Sequence, residues 1–168
     1  MPAGSTYSTI ATTTLGSNAA DYTFSSIPGT YTDLVLVCSN VTNTSAQTLY
    51  ARVNSDTGTN YSFTVLNGTG TAASSYRSSS SAQGMQLGLG LVGMSTTTPA
   101  QFNATFLNYS NTTTFKTSLS RSGLASGEVE ASVSLWRSTA AITSITVRPS
   151  GGSLQTGTVL TLYGIAAA

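Results

Sequence analysis

The feature that most constrains this chain is a strict alternation of apolar and polar side chains over residues 128–135, followed by two further apolar runs. A period of two is that of a β-strand with one face on a core and the other in water. The apolar positions, which we expect to face the core, are Val129, Ala131, Val133 and Leu135. A second strand is predicted before Pro149 and a third over residues 159–165, which is apolar enough to be central in its sheet.

The rest of the chain repeats this pattern at short intervals and contains no convincing helix. Further strands are predicted at residues 22–27, 31–39, 49–54, 61–67, 85–91, 102–109 and 115–119. Turn residues such as Pro28-Gly29 and Asn67-Gly68 separate them. About nine or ten short strands predict an all-β protein, an antiparallel β-sandwich and, at this length, a jelly roll.

The first 20 residues differ from the rest, because they are mostly Ser, Thr and Ala with isolated large side chains. We therefore predict two parts, an extended N-terminal arm over residues 1–20 and a single β-sandwich domain over residues 21–168. The arm is expected to lie along a neighbouring protein or to fray. Its large side chains, and hence its candidate contact residues, are Tyr7, Ile10 and Leu15.

The composition points to assembly. Charged residues make up 7% of the 168 residues, against about a quarter in typical soluble proteins, and Ser and Thr together make up roughly a third. A formal net charge of +1 leaves little repulsion to keep copies apart. We therefore expect contacts with other copies or other proteins rather than a free monomer.

The same composition argues against several partners. The six Lys and Arg residues are scattered, so no basic run could follow a phosphate backbone. No apolar segment reaches the length of about 20 residues that spans a bilayer, and the N-terminus lacks the pattern of a secretory signal. We therefore predict no nucleic acid or membrane partner and synthesis in a cytoplasm. Cys38, the single cysteine, is predicted to be a small buried residue.

Candidate catalytic groups are few. The chain has no histidine, which excludes a Ser-His-Asp triad, a Cys-His pair and a histidine-ligated metal. Glu128 and Glu130 share one strand face and could in principle act as acid and base, but two exposed carboxylates on a strand more often serve solubility. Residues 56–60 have too few acidic ligands for calcium and fit a hairpin turn better. We predict no enzyme activity, no metal and no cofactor.

Two further segments contain candidate binding residues. Residues 69–83 are nearly all small and polar, which predicts a long surface loop with Tyr76 and Arg77 as its binding side chains. The alternation that buries Leu135 turns Trp136 outward beside Arg137, a typical pair at protein interfaces. Alternatively, Trp136 caps the end of the sandwich beneath a loop. Both interpretations of Trp136 stay open.

Four segments resemble a group of small bacteriophage virion proteins of the capsid decoration or cement type, whose domains also occur in tail fibres. The segments are FSSIPGTYTDLVL at 24–36, RVNSDTGTNYS at 52–62, LWR at 135–137 and LYGI at 162–165. The resemblance implies a homotrimer of jelly-roll or sandwich domains on the virion surface, bound to the major capsid protein. The resemblance supplies no contact residues of its own, so the candidates for subunit or capsid contacts are those argued from the sequence, Tyr7, Ile10, Leu15, Trp136 and Arg137.

The same resemblance leaves an alternative, since the short motifs do not separate head proteins from tail proteins. Under that alternative the chain is a receptor-binding tail module that recognises host surface glycans, with Tyr76 and Arg77 in the binding loop. The expectation for location is therefore the virion, with the capsid surface as the first hypothesis and the tail as the second.

Overall fold

The computed structural model describes residues 6–125 and 127–166. In this part of the chain all regular structure is β, in twelve strands. Their bounds are β1 Tyr7–Thr14, β2 Tyr22–Phe24, β3 Asp33–Val41, β4 Leu49–Val53, β5 Tyr61–Gly68, β6 Ala73–Ser81, β7 Met85–Gly88, β8 Ala100–Leu107, β9 Lys116–Leu124, β10 Glu128–Trp136, β11 Ile145–Pro149 and β12 Val159–Ile165. None of the described residues forms a helix that is long and apolar enough to cross a membrane.

The strands form two antiparallel sheets, which confirms the predicted β-sandwich. The large sheet has eight strands in the order β1-β12-β3-β8-β9-β10-β5-β6, and the small sheet has four in the order β2-β11-β4-β7. Without β5, β6, β9 and β10, the other eight strands, renumbered along the chain, make sheets in the orders 1-8-3-6 and 2-7-4-5. That is the strand order of a jelly roll, an eight-stranded fold of two Greek keys.

Two inserted hairpins enlarge one sheet of this jelly roll. Strands β5 and β6 form the first hairpin, β9 and β10 form the second, and β10 pairs with β5. Together they extend the large sheet beyond β8 by four strands. The face that this extension presents to solvent is the candidate contact surface described below.

The predicted strand count of nine or ten is too low, because two edge strands were not predicted. β1 and β6 lie at the two edges of the large sheet and each pairs with a single neighbour. An edge strand buries little side-chain surface, so it needs no apolar alternation. β1 and β6 are accordingly rich in Ser, Thr and Ala.

The predicted arm over residues 1–20 is also corrected within the described residues. β1 pairs with β12 along its length, with one bulge between Thr9 and Ala11. Leu15 donates its backbone N–H to Thr158, and Ala19 bridges to Leu154. Residues 7–19 therefore belong to the sandwich, and residues 1–5 lie outside the described residues.

The main core lies between the two sheets. The predicted central positions of residues 31–39 and 159–165 are confirmed, since β3 lies between β12 and β8 and β12 lies between β1 and β3. Their apolar side chains, among them Leu34, Leu36 and Leu162, pack against the small sheet's Leu49 and Val147 in one buried cluster. Cys38 belongs to the same cluster, as predicted, and its burial raises the pKa of the thiol far above its ordinary value.

A packing contact at the end of β12 generates a test of this architecture. A Cβ atom on Gly164 would lie 2.2 Å from Cγ of Tyr31, so the ring covers the glycine. We expect Gly164→Ala to lower the free energy of unfolding by about 1 to 3 kcal/mol, because the ring must move. The measurement is urea denaturation.

Gly123→Ala is the matched control, since a Cβ on this strand glycine would meet its nearest neighbour at 3.8 Å, an ordinary contact. We expect it to be neutral or to stabilise slightly, because glycine in a strand loses more conformational entropy than alanine on folding. Equal losses of stability in the two variants would contradict a destabilising contact between the Tyr31 ring and a Cβ at position 164.

Candidate contact surface on the large sheet

The inner face of the second inserted hairpin is polar because it binds the free edge of the small sheet. β7 is an edge strand with only β4 as its sheet neighbour. On its other side, the N–H of Gln86 donates to Ser134 Oγ at 3.1 Å, and its carbonyl accepts hydrogen bonds from Ser120 and Ser132 at 3.0 and 2.8 Å. The serine hydroxyls thus take the place of a neighbouring strand. An enclosed backbone edge requires such hydrogen-bond partners.

The glycines after Met85 make this approach possible. A Cβ on Gly88 would lie 1.9 Å from Ser122 Oγ, and one on Gly90 would lie 1.6 Å from the Tyr76 hydroxyl. Gly88 also has a φ of +149°, in the region that favours glycine. The glycine face is therefore inside the molecule, where β7 and its following turn approach the large sheet.

Glu128 and Glu130 lie on the same inner face, so the prediction that they are exposed is wrong. They are only 2% and 4% exposed. Glu130 accepts hydrogen bonds from the Gln86 side chain and from the backbone N–H of Gly90, both at 2.8 Å, and Glu128 accepts one from the N–H of Val92 at 2.9 Å. The two carboxyl groups therefore hold the turn over residues 89–93 against the large sheet.

The pair is close enough for one proton to be shared. Burial, and then the hydrogen bond with Glu128, raise the pKa of Glu130 to about 7, although Gly90 and Gln86 oppose the shift. Glu128 Oε1 accepts no hydrogen bond from any donor among the described residues. A hydrogen bond between two carboxyl groups needs one of them to carry a proton, and the raised pKa of Glu130 favours its protonated form.

The outer face of the same strands is apolar, which reverses the predicted orientation of β10. Val129 and Val133 are 65% and 50% exposed, whereas the intervening Ser132 is buried. Because side chains alternate along a strand, placing the Glu and Ser positions inside necessarily places the Val and Ala positions outside. The predicted core positions of this strand are thus its surface positions.

This outer apolar surface is continuous across three strands. Ala131 pairs with Leu66 on β5, and Val133 pairs with Leu119 on β9. These four residues border an open groove of about 540 Å³, and of the described residues that line it none is aromatic. We call this region the outer groove, defined by Leu66, Leu119, Ala131 and Val133.

The charges near the outer groove are all positive. Arg121 lines it, and Arg77 lies opposite Thr64 at its β6 side. Neither guanidinium hydrogen-bonds or pairs with another described residue. None of the chain's five carboxylates is among the groove residues, since Glu128 and Glu130 face inward and the three Asp residues lie outside it.

The three contact residues predicted in the arm have different positions. Tyr7 is exposed on the edge strand and its ring meets that of Tyr163 edge-on, with centroids 6.2 Å apart. Ile10 is half-buried against the core, and Leu15 is buried within it. Leu15 therefore contributes to folding and presents no contact surface.

Trp136 is buried at the end of β10, which contradicts the outward-facing interpretation and agrees with the alternative, a Trp that caps the end of the sandwich beneath a loop. It is 3% exposed, and its indole N–H donates to Asp56 Oδ2 at 2.6 Å. Burial of Asp56 opposes ionisation, but hydrogen bonds from Trp136, Asn60 and the Gly58 backbone outweigh it and lower the pKa of Asp56. Arg137 donates to the carbonyls of Ser79 and Thr59, so it joins β6 to the turn before β5.

The predicted binding loop over residues 69–83 is largely strand β6. Tyr76 points inward, where its hydroxyl contacts the Gln86 side chain and Glu130, and its ring packs edge-on against Phe63. Burial, followed by the nearby Glu130 and Glu128, raises the pKa of Tyr76, although the Gln86 hydrogen bond opposes this. Arg77, the next residue, is exposed on the outer face. The two predicted binding residues therefore lie on opposite faces of the sheet.

No protein-family model and no curated protein sequence matches this chain.

The buried acid pair predicts a pH dependence of stability. The pKa of Glu130 is raised from 4.5 to about 7 on folding, so the folded protein holds the proton more tightly between these values. The free energy of unfolding should therefore fall as pH rises from about 5 to 8, by on the order of 1 to 3 kcal/mol. Denaturation at a series of pH values measures it.

Glu130→Gln is the informative variant, because it removes the titration and keeps the size of the side chain. It should flatten the slope in this range, where the absence of histidine leaves few other groups to titrate. A wild-type profile that rises with pH, or an unchanged slope in the variant, would refute the assignment.

Proposed function

We propose that this protein is a structural component of a bacteriophage virion that decorates and stabilises the capsid shell. The observation that carries the proposal is the outer groove, a wide apolar surface on an ordered sheet. Exposed apolar patches of this kind mark interaction sites in soluble proteins. A decoration protein works by buried contact area, and this face offers such an area.

Two further observations support the proposal. The strand order is that of a jelly roll, an architecture that occurs in viral capsid proteins as well as in lectins, and this support is by analogy of fold alone. The four segments quoted above resemble phage decoration proteins. The net charge of +1 and the low charged fraction favour close packing on a shell and the homotrimer that the resemblance implies.

The glycan-binding alternative has less support. Sugar sites commonly use exposed aromatic rings, yet the outer groove has none among its described residues, and Tyr76 is turned towards Gln86 and Glu130. The predicted binding loop is a strand. Recognition of a protein surface fits the apolar side chains of the groove better.

The copy number in purified particles tests the proposal directly. We expect hundreds of copies per particle, set against the major capsid protein by quantitative mass spectrometry, because a decoration protein covers a repeating lattice. A dozen copies or fewer would instead place the chain on the tail and reject the capsid function.

A substitution in the outer groove tests whether this face makes the contact. Val133→Glu should weaken rebinding to particles stripped of the protein by at least about tenfold, because it replaces an apolar contact with a carboxylate that must lose its water on binding. Val133 is half-exposed, so stability should change by less than about 1 kcal/mol. Binding is measured by co-sedimentation and stability by denaturation.

Phe115→Glu is the matched control. Phe115 is as exposed as Val133, at 51% against 50%, but it precedes β9 and does not line the groove. It should leave attachment unchanged. Equal losses of attachment in both variants would show that the groove has no special part in it.

A further inference from the structure

The outer groove has a definite geometry because the strand register is continuous through it. One cross-strand row contains Arg77, Thr64, Val133, Leu119 and Thr105, on β6, β5, β10, β9 and β8 in turn. Neighbouring strands lie about 4.8 Å apart, so this row is about 19 Å long. It is long enough for about five or six residues of an extended chain, at about 3.3 Å each.

The next row has the same direction and supplies the second cation. It contains Leu66, Ala131, Arg121 and Asn103, paired across β5, β10, β9 and β8. Ala131 is small, so a depression lies between Leu66 and Leu119. The groove therefore combines an apolar floor with one guanidinium at the end of one row and another within the second row.

The two arginines make the groove positively charged. Both lack a partner among the described residues, and no carboxylate lines the groove. A guanidinium binds a carboxylate through two parallel hydrogen bonds, most strongly where apolar neighbours exclude water. An occupant that supplies apolar side chains and two carboxylates would match both the apolar floor and the two arginines of this surface.

We propose that the outer groove binds an extended segment of the partner protein whose groove-facing side chains, every second residue along the segment, are apolar in the middle and acidic where they meet Arg121 and Arg77. That this segment belongs to the capsid shell rests on the function proposed above, whereas its chemistry rests on the groove alone. A second copy of the chain fits less well. Two outer grooves packed together would bring four arginines against each other with no carboxylate between them.

A peptide titration tests the chemistry without a particle. The probe is a six-residue peptide, acetyl-Asp-Ser-Leu-Ser-Asp-Ser-amide, which presents Asp, Leu and Asp on one face, and its neutral counterpart carries Asn in place of Asp. Binding to the full chain is followed by NMR through the guanidinium signal of Arg121 and the methyl signals of Leu119 and Val133. The acidic peptide should bind about tenfold more tightly than the neutral one, and higher salt should weaken it.

Two variants and one control test whether Arg121 is the cation that binds the carboxylate. Arg121→Gln should weaken binding of the acidic peptide about threefold to fivefold, because Arg77 keeps its carboxylate, and it should leave the neutral peptide unchanged. Arg121→Glu should reverse the preference, so that a peptide with Lys at the acidic positions binds instead. Arg148→Gln removes the same charge from the small sheet, outside the groove, and should have no effect.

Each outcome decides a separate claim. Equal binding of the acidic and neutral peptides, or equal effects of Arg121→Gln and Arg148→Gln, overturns the proposed groove chemistry. If the wild-type protein is an oligomer and Val133→Glu dissociates it, the occupant of the groove is a second copy of the chain. That result also overturns the proposed groove chemistry. If the protein binds the acidic peptide selectively but is absent from purified particles, the groove chemistry is supported and the capsid function is rejected. If it is present in hundreds of copies but does not prefer the acidic peptide, the capsid function is supported and the groove chemistry is rejected.

Discussion

The free edge of β7 is the constraint on which the rest of this molecule depends. The jelly-roll core leaves this strand with one sheet neighbour, and the inserted hairpin β9–β10 then covers its other side. An enclosed backbone edge needs hydrogen-bond partners, and the hydroxyls of Ser120, Ser132 and Ser134 provide them. Because a strand has only two faces, these polar side chains can point inward only if Val129 and Val133 point outward. The internal hydrogen-bond network and the apolar surface are therefore two consequences of one orientation.

The class of fold follows from the sequence because its signal is local. Period-two alternation, β-branched residues and frequent turn residues identify most strands, and the apolar character of β3 and β12 identifies them as central. The edge strands β1 and β6 give no such signal. A strand that pairs on one side and buries few side chains can consist of Ser, Thr and Ala, and its pairing depends on a distant partner. The arm and the long loop predicted at these places have the composition of edge strands, and composition alone does not distinguish the two.

The orientation of β10 could not be predicted from its alternation, since a period of two defines two faces without saying which is inside. The usual assignment of apolar side chains to the core fails here, because the element that packs on this face is a backbone edge and not another apolar surface. One further signal was present. Ser118, Ser120 and Ser122 on β9 have the same period as the polar positions of β10, and Gly88 and Gly90 mark a strand that approaches another closely. Serine on two adjacent strands together with glycine on a third is the pattern of a strand edge resting on hydroxyls.

The two faces of β10 can change independently of each other. Side chains on the outer face of β10 contact solvent or a partner, and those on the inner face bind β7 and the turn after it, so substitutions on the two faces share few contacts. Their effects on folding should therefore be close to additive. The outer groove can alter its apolar side chains and its arginines to match a partner while Glu128, Glu130 and the serines keep the sandwich closed. A jelly roll built in this way retains one stable interior and tolerates many different exteriors.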